Sequence, residues 1–300
     1  MATIVTGGTG FVGRCLLGKL RDVMIVSRHP EKAARELAVP ASQIIPWDAN
    51  SGPFALPIQI QPDVVVNLMG EPIAGGRWTD TKKQSIRSSR VDGTNNLVDG
   101  LLAMNRLPKV FVSASAMGFY GPCGEELLDE ASPNGSGFLA ETCRDWEKAA
   151  FRLLDHGVRV VVIRLGVVLG RNGGALHQMV PIFRWGLGGR LGNGQQWFPW
   201  IHLDDLVRMI EWAITSETAS GVYNGVAPNP VKNADFTRGL AGQLHRPALL
   251  PVPKFVLQAF FGEFANTLFD SQRVIPRAAI AGGFEFQFPT LAEALQDLLP

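Results

Sequence analysis

Three glycines at a spacing of three, Gly7, Gly10 and Gly13, carry the first candidate chemistry, and that chemistry is phosphate binding. Glycine at position 7 permits a sharp turn off a strand. At 10 it lets backbone approach a pyrophosphate with no Cβ between them, and at 13 it lets a helix sit close on the strand before it. The phosphates would then lie on unpaired N–H groups at the positive end of the helix, where Phe11 and Val12 follow the turn. The chain holds 33 glycines, so the spacing alone would serve an ordinary strand-to-helix turn. Context separates the two readings: Thr3, Ile4 and Val5 precede the turn, and Val12, Leu16, Leu17 and Leu20 follow it at helical spacing. That is strand, dinucleotide-binding turn, helix.

Roughly 20 residues past such a turn, an NAD-binding chain offers Asp or Glu to the adenosine ribose hydroxyls. Here the strand from Val23 ends in Ser27-Arg28-His29-Pro30. An arginine fork matches a 2′-phosphate and would leave an NAD ribose without its acceptor, so Ser27 and Arg28 favour NADP(H). The alternative is a solvated basic residue at a strand end.

These residues need a scaffold, and the chain alternates strand and helix up to residue 165. Strands are expected at Ile44–Ile45 running to Trp47-Asp48, at Val64–Leu68, at Val110–Ser113 and at Arg159–Leu165. Helices are expected over Thr79–Asn105, with a soft point at Gly93, and over Phe138–Leu154, closed by Gly157. The alternation implies an α/β fold, a Rossmann-type doubly wound parallel sheet over residues 1–165. Residues 166–300 form a smaller substrate-binding lobe, with an approximate boundary across which the chain can return. In that lobe five glycines between 186 and 194 are flanked by Trp185, Trp197 and Trp200. Flexible backbone between large rings suits a pocket wall for a small-molecule substrate, or a surface excursion with the rings packed inward. A strand at Val222–Asn224, a helix capped by Asn233 and a capping box at Thr290-Leu291-Ala292-Glu293 opening a helix through Leu299 complete the lobe. His202, Asp204 and Asp205 invite a metal reading, but an N-cap role explains Asp204 better.

With 28 basic and 27 acidic residues and no block of like charge, the chain is nearly neutral, which argues against nucleic acid or an anionic membrane surface as partner. Cys15, Cys123 and Cys143 share no metal-type spacing, and their odd number argues against a disulfide framework. A first strand that starts at once leaves no room for a cleavable signal, and no run of about 18 apolar residues is present. A cytoplasmic protein is expected. A homodimer is compatible with the sequence, which does not fix the oligomeric state.

The Gly-x-x-Gly-x-x-Gly turn preceded by Thr6 resembles the TGxxGxxG turn of extended short-chain dehydrogenases/reductases. The resemblance implies that Asp48 faces the adenine, although a turn-forming Asp before Asn50-Ser51-Gly52 explains it nearly as well. Asn67-Leu68-Met69-Gly70 looks like the Asn/His-x-Ala-Gly element that runs beside the cofactor's phosphates and ribose. In a stretch similar to Asn-Val-x-Gly-Thr, Arg90 stands in place of Asn; it would bond cofactor or the neighbouring loop, or else form a surface ion pair. Ser113-Ala114-Ser115-Ala116-Met117-Gly118-Phe119-Tyr120-Gly121 is similar to Ser-Ser-x-x-Val-Tyr-Gly. Counting back from Tyr120 puts the catalytic serine position on Ala116, so Ser115 is the candidate if one residue is inserted. Arg164-Leu165-Gly166-Val167-Val168-Leu169-Gly170 matches Arg-x-Gly-x-Val-x-Gly and implies that Arg164 lies at the cofactor.

That family usually works through a tyrosine with a lysine four residues later. On a helix the two share a face, and the ammonium lowers the phenol's pKa toward neutrality. Here Tyr120 and Tyr223 are followed at the fourth position by Gly124 and Ala227, and Phe138 and Thr142 hold the pair's places. An enzyme would draw its acid/base from Ser115, Tyr120, Glu141 or His202. Otherwise the chain binds NADP(H) without turnover, as a sensor or regulatory module. The missing pair argues against an ordinary nucleotide-sugar epimerase. Asn67-Leu68-x-Gly70-Glu71, Arg77-Trp78, Ser89-Arg90, Phe198-Pro199-Trp200-Ile201-His202 and Gln272-Arg273-Val274-Ile275-Pro276 are similar to one atypical group of extended members, the "epimerase family proteins". These are also described as cell-division inhibitors or nucleoside-diphosphate-sugar epimerases. The resemblance implies NADP and supplies no substrate.

Overall fold

The computed structural model describes residues 1–56, 60–104 and 106–299. The first half reads β1 (Thr3–Thr6), α1 (Phe11–Leu17), β2 (Val23–Ser27), α2 (Pro30–Leu37), β3 (Ile44–Pro46), β4 (Val64–Asn67), α3 (Asp80–Leu102), β5 (Val110–Ala116), β6 (Leu127–Leu128), α4 (Phe138–Phe151) and β7 (Arg159–Leu165). There follow β8 (Val167–Gly170), α5 (Gly174–Arg184), β9 (Trp197–Phe198), β10 (Trp200–His202), α6 (Leu203–Thr215) and β11 (Gly221–Gly225). The chain ends through β12 (Val231–Lys232), α7 (Asn233–Gln243), α8 (Lys254–Phe261), α9 (Phe264–Thr267), β13 (Arg273–Val274), α10 (Arg277–Ala281) and α11 (Leu291–Leu298).

Seven strands form one parallel sheet in the order β11-β7-β5-β4-β1-β2-β3. The unbroken apolar strands feed both of its faces. Val5, Val64, Val66, Val112 and Val161 pack under Leu16 of α1 and the apolar side of α6. Ile4, Val65, Phe111 and Val162 pack against Leu97, Val98 and Leu101 of α3 and Ala150 of α4. Each such fully buried side chain contributes about 1.5–3 kcal/mol. A separate core around Leu169, Phe183, Trp200, Phe236, Leu240 and Leu295 holds the second lobe.

Several boundaries differ from expectation for local reasons. β5 runs on past Ser113 to Ala116, because each of these residues pairs with β7. Gly93 is no soft point: a Cβ there would meet Met69 Sδ at 2.9 Å, so glycine admits a close neighbour to a continuous helix. α3 ends at Leu102; the expected terminus, Asn105, lies outside the described residues. α4 ends at Phe151, and a short 3-10 turn, Leu154–His156, leads to Gly157 at φ +77°. The strand around Val222–Asn224 is β11, the edge of the main sheet rather than part of the second lobe, and α6 before it covers the sheet. Helix α6 is capped by His202, whose Nδ1 accepts from the Asp204 N–H at 3.1 Å; Asp204 is inside the helix. Lys232 rather than Asn233 is the N-cap of α7, and Asn233 Oδ1 accepts from the Leu191 N–H. The capping box of Thr290 and Glu293 is formed.

Candidate functional site

A cleft of about 320 Å³ opens at the carboxyl ends of β1, β2, β3 and β4, where the chain order reverses across the sheet. Open α/β sheets bind ligands at such a switch point. It brings together Gly7, Gly10, Ser27, Arg28, Asp48, Leu68 and Gly70.

The glycine turn is built as its spacing requires. Gly7 has φ +68°, in the left-handed region, and a Cβ there would collide with the Leu68 carbonyl. A Cβ on Gly13 would be driven into the Gly7 carbonyl and the Gly8 backbone, so this residue sits beneath the turn rather than in the cleft. Gly10 differs: a Cβ would meet only the Gly7 carbonyl, at 3.1 Å, and otherwise face open space. No side chain caps α1, and the first backbone bond into it is from the Arg14 N–H to the Gly10 carbonyl. The N–H groups of Phe11, Val12 and Gly13 therefore lack helical acceptors and are available to an anion. The side chains of Phe11 and Val12 point elsewhere: Phe11 packs on Gly170, Gly173 and Gly174, and Val12 on the sheet core.

Around the rim, Arg28 is exposed and Ser27 Oγ accepts from the His29 N–H. Asp48 lines the cleft and also forms the turn, accepting from the Asn50 N–H at 3.0 Å. Asn67 does not reach the cleft. It is fully buried, accepting from Thr6 Oγ1 at 2.8 Å and donating to Thr94 Oγ1 at 2.9 Å, and so locks β1, β4 and α3 together. Arg90 braces the wall from behind. Its guanidinium lies against Gly70 and donates to the Glu71 carbonyl at 2.9 Å, and burial pulls its pKa down. Met69 of the Asn67-Leu68-Met69-Gly70 element lines the cleft, as do Trp47, Glu71 and Ser89, to which the sequence had given no cofactor role. Ser89 accepts from the Glu71 N–H, and the Ser89-Arg90 and Gly70-Glu71 pairs were visible as motif without a role.

Ser115, Tyr120 and Arg164 form a different structure. They meet in a buried network between β5, β7 and α4. Arg164 donates from Nε and Nη2 to the two oxygens of Glu147, both at 2.9 Å, and from Nη1 to the Tyr120 hydroxyl, also at 2.9 Å. Ser115 Oγ donates to Glu147 Oε1 at 2.6 Å, and Tyr120 donates to Asn224 Oδ1 at 2.7 Å. Burial opposes the Arg164 charge, but the bonds to Glu147 and Tyr120 outweigh it and hold the guanidinium above its ordinary pKa. Burial likewise raises the Tyr120 phenol, which stays protonated at neutral pH. Ser115 and Tyr120 are each 1% exposed and, like Arg164, are not among the residues that line the cleft; their polar atoms are engaged in this network. β5 pairs regularly with β7 through Ala116, and the 3-10 turn Met117–Tyr120 follows directly. Glu147 was missed, although an acid between Trp146 and Ala150 on the apolar face of α4 is a sequence signal for a buried partner.

The three tryptophans do not converge on a pocket. Trp185 is 82% exposed and Trp200 is 1% exposed, inside the core of the second lobe. Trp197 lies near the surface, donating to Glu125 Oε2 at 2.9 Å, with Arg273 and Lys232 over its ring. Nor do His202 and the two aspartates form a cation site: Asp205 accepts from the Gln287 and Phe288 N–H groups and ties down the C-terminal stretch.

The profile of the NAD dependent epimerase/dehydratase family matches residues 3–224. The chain belongs to this family. A second profile, a domain of unknown function, matches residues 252–298. Among family members, the chain is 41% identical over 308 residues to "Epimerase family protein SDR39U1 homolog, chloroplastic" of Arabidopsis thaliana, covering all of this chain and 87% of the relative. The crystal structure of human epimerase family protein SDR39U1 (isoform2) with NADPH superposes with a TM-score of 0.88 at 38% identity, covering 100% of this chain and 99% of that one. A nucleoside-diphosphate sugar epimerase from Corynebacterium glutamicum superposes with a TM-score of 0.77 at 33% identity, over 99% of this chain and 58% of that one. The family's Rossmann-like fold and the atypical extended group resembled by the sequence are thus both found. No helix among the described residues is long and apolar enough to cross a membrane.

Proposed function

We propose that this chain binds NADP(H) in the cleft at the switch point and acts as a reductase or epimerase on a small-molecule substrate, without the usual Tyr/Lys pair. The observation that carries the reading is the union in one cleft of a glycine turn open at Gly10 and a rim that offers Arg28 where NAD binders place a carboxylate. NADPH bound to the 38% identical human relative supports it. The diphosphate would lie on the N–H groups of Phe11, Val12 and Gly13, the 2′-phosphate on Arg28 and Ser27, and the adenine beside Asp48. Leu68 and Gly70 would supply backbone along the ribose. The cofactor would supply hydride chemistry, and the chain would orient it. We assign the substrate lobe to residues within 166–202 and 226–300, because 203–225 return to the sheet, where Ala279 and Phe284 also pack.

A second reading, NADP(H) binding without turnover, is favoured by one observation: the hydroxyls of Ser115 and Tyr120 are committed to a buried network. Fluorescence titration tests the cofactor assignment. NADPH should bind at least tenfold, or about 1.4 kcal/mol, more tightly than NADH, and Arg28→Ala should remove most of that preference. Equal affinities in the unmodified protein would sink the NADP assignment.

A further inference from the structure

The position that lacks the family's tyrosine is not without ionisable groups; they arrive from other parts of the chain. Phe138 stands there, packed edge-on against Trp78 with ring centroids 5.5 Å apart. Lys83, in the first turn of α3, brings its Nζ to 5.8 Å from the centre of the Phe138 ring and forms an ion pair with Glu263, the residue before α9. The Lys83 and Glu263 side chains are 25% and 48% exposed, so a ligand can reach them. Phe138, Trp78, Gly118 and Glu263 line one cavity of about 150 Å³. It opens where the chain leaves the carboxyl end of β5, the end of the sheet at which the cofactor cleft lies. Glu71 and Pro72 line the cleft, and Trp78, which lines the cavity, follows them in the same loop.

We propose that Glu263 and Lys83 are the proton-handling pair of this protein, the carboxylate serving in place of the missing tyrosine and the ammonium in place of the missing lysine. The proposal rests on the NADP(H) reading above and gives it an acid/base for interconverting an alcohol and its carbonyl counterpart. In oxidation the Glu263 carboxylate takes the O–H proton of the alcohol. The neighbouring C–H bond breaks, its electron pair leaves as hydride to the oxidised nicotinamide dinucleotide, and C=O forms; reduction reverses each transfer. A carboxylate is ionised at neutral pH and can accept a proton without an activated phenol, and an adjacent ammonium offsets negative charge growing on the substrate oxygen. Trp78 and Phe138, which line the cavity in contact with each other, would flank the carbon skeleton on one side. Asp270 lines the same cavity and burial raises its pKa, but the cation acting on it is Lys254 rather than Lys83.

The test uses the full chain with NADPH and three carbonyl probes, 2,3-butanedione, glyceraldehyde and isatin. Unmodified protein should oxidise NADPH with at least one of them. Glu263→Gln and Lys83→Met should each lower kcat by about 100-fold, Glu263→Asp should recover part of the loss, and Asp270→Asn should cost less than Glu263→Gln. NADPH affinity, read by fluorescence in the same samples, should change by less than about threefold, or about 0.7 kcal/mol. NADPH binding with no turnover of any probe overturns the pair and leaves the cofactor reading standing. So does an unaffected Glu263→Gln or a larger loss in Asp270→Asn. Absence of NADPH binding overturns the cofactor reading, and the pair with it.

Discussion

Ser115 and Glu147 meet across the sheet–helix boundary, the serine hydroxyl donating to the carboxylate at 2.6 Å with both residues buried. The hydroxyl of Ser115, the candidate one residue before the position that motif counting reaches, is thus engaged in holding a charged pair inside the fold. Arg164 completes the arrangement with two bonds to the same carboxylate, and its Cζ lies 3.3 Å from the centre of the Phe119 ring.

This geometry predicts how substitutions in the network divide. Glu147→Gln strands a buried guanidinium and should destabilise the fold by about 3–5 kcal/mol. Ser115→Ala removes one bond to a carboxylate that keeps its arginine, and should cost about 1–2 kcal/mol. Urea melts measure both. NADPH affinity should be unchanged in the serine variant, because Ser115 does not line the cleft. A serine variant of full stability that had lost the nucleotide would return Ser115 to the active site.

The glycines of the turn should separate in the same way. At Gly13 even one methyl group meets backbone on two sides, so Gly13→Ala should cost about 1–3 kcal/mol by overpacking. Gly10 has φ −72°, open to any residue, and faces the cleft. Gly10→Val should therefore keep the melting temperature of the unmodified protein and lose NADPH binding. Retained binding would mean that the phosphates do not pass Gly10.

The sheet was legible because its strands announce themselves. Val64–Asn67 and Arg159–Leu165 are runs of β-branched residues with both faces buried, and the order of strand, turn and helix fixes the rest. The phosphate turn was legible because each glycine answers a separate steric demand. What could not be read was which way a polar side chain points. Asn67, Ser115 and Arg164 all occupy motif positions, yet Asn67 binds Thr6 and Thr94, and Ser115 and Arg164 share Glu147. These partners lie between 17 and 61 residues away, beyond the reach of local pattern. Lys83 and Glu263 were invisible for the same reason, being brought to Phe138 by packing of the C-terminal segment against α3.

His202 gives the fold a pH dependence of predictable sign. Its Nδ1 accepts from the Asp204 N–H, which leaves the proton of the neutral ring on Nε2, 3.5 Å from Asp297 Oδ2. The ring stacks on Phe288 at 3.9 Å and is 2% exposed. Burial lowers its pKa below the ordinary 6.5, although Asp204, Asp297 and Asp205 pull the other way. The folded protein thus holds the imidazole neutral where the unfolded chain would protonate it, so stability is intact above pH 6.5 and falls as pH drops below that value. Melting temperatures measured from pH 8 to pH 5 should decline over the acid half of this range. His202→Asn retains a capping side chain and removes the titration, so its melting temperature should start lower, for loss of the Phe288 stack, and decline less between pH 6.5 and pH 5. An equal decline in both proteins would assign the acid sensitivity to other groups.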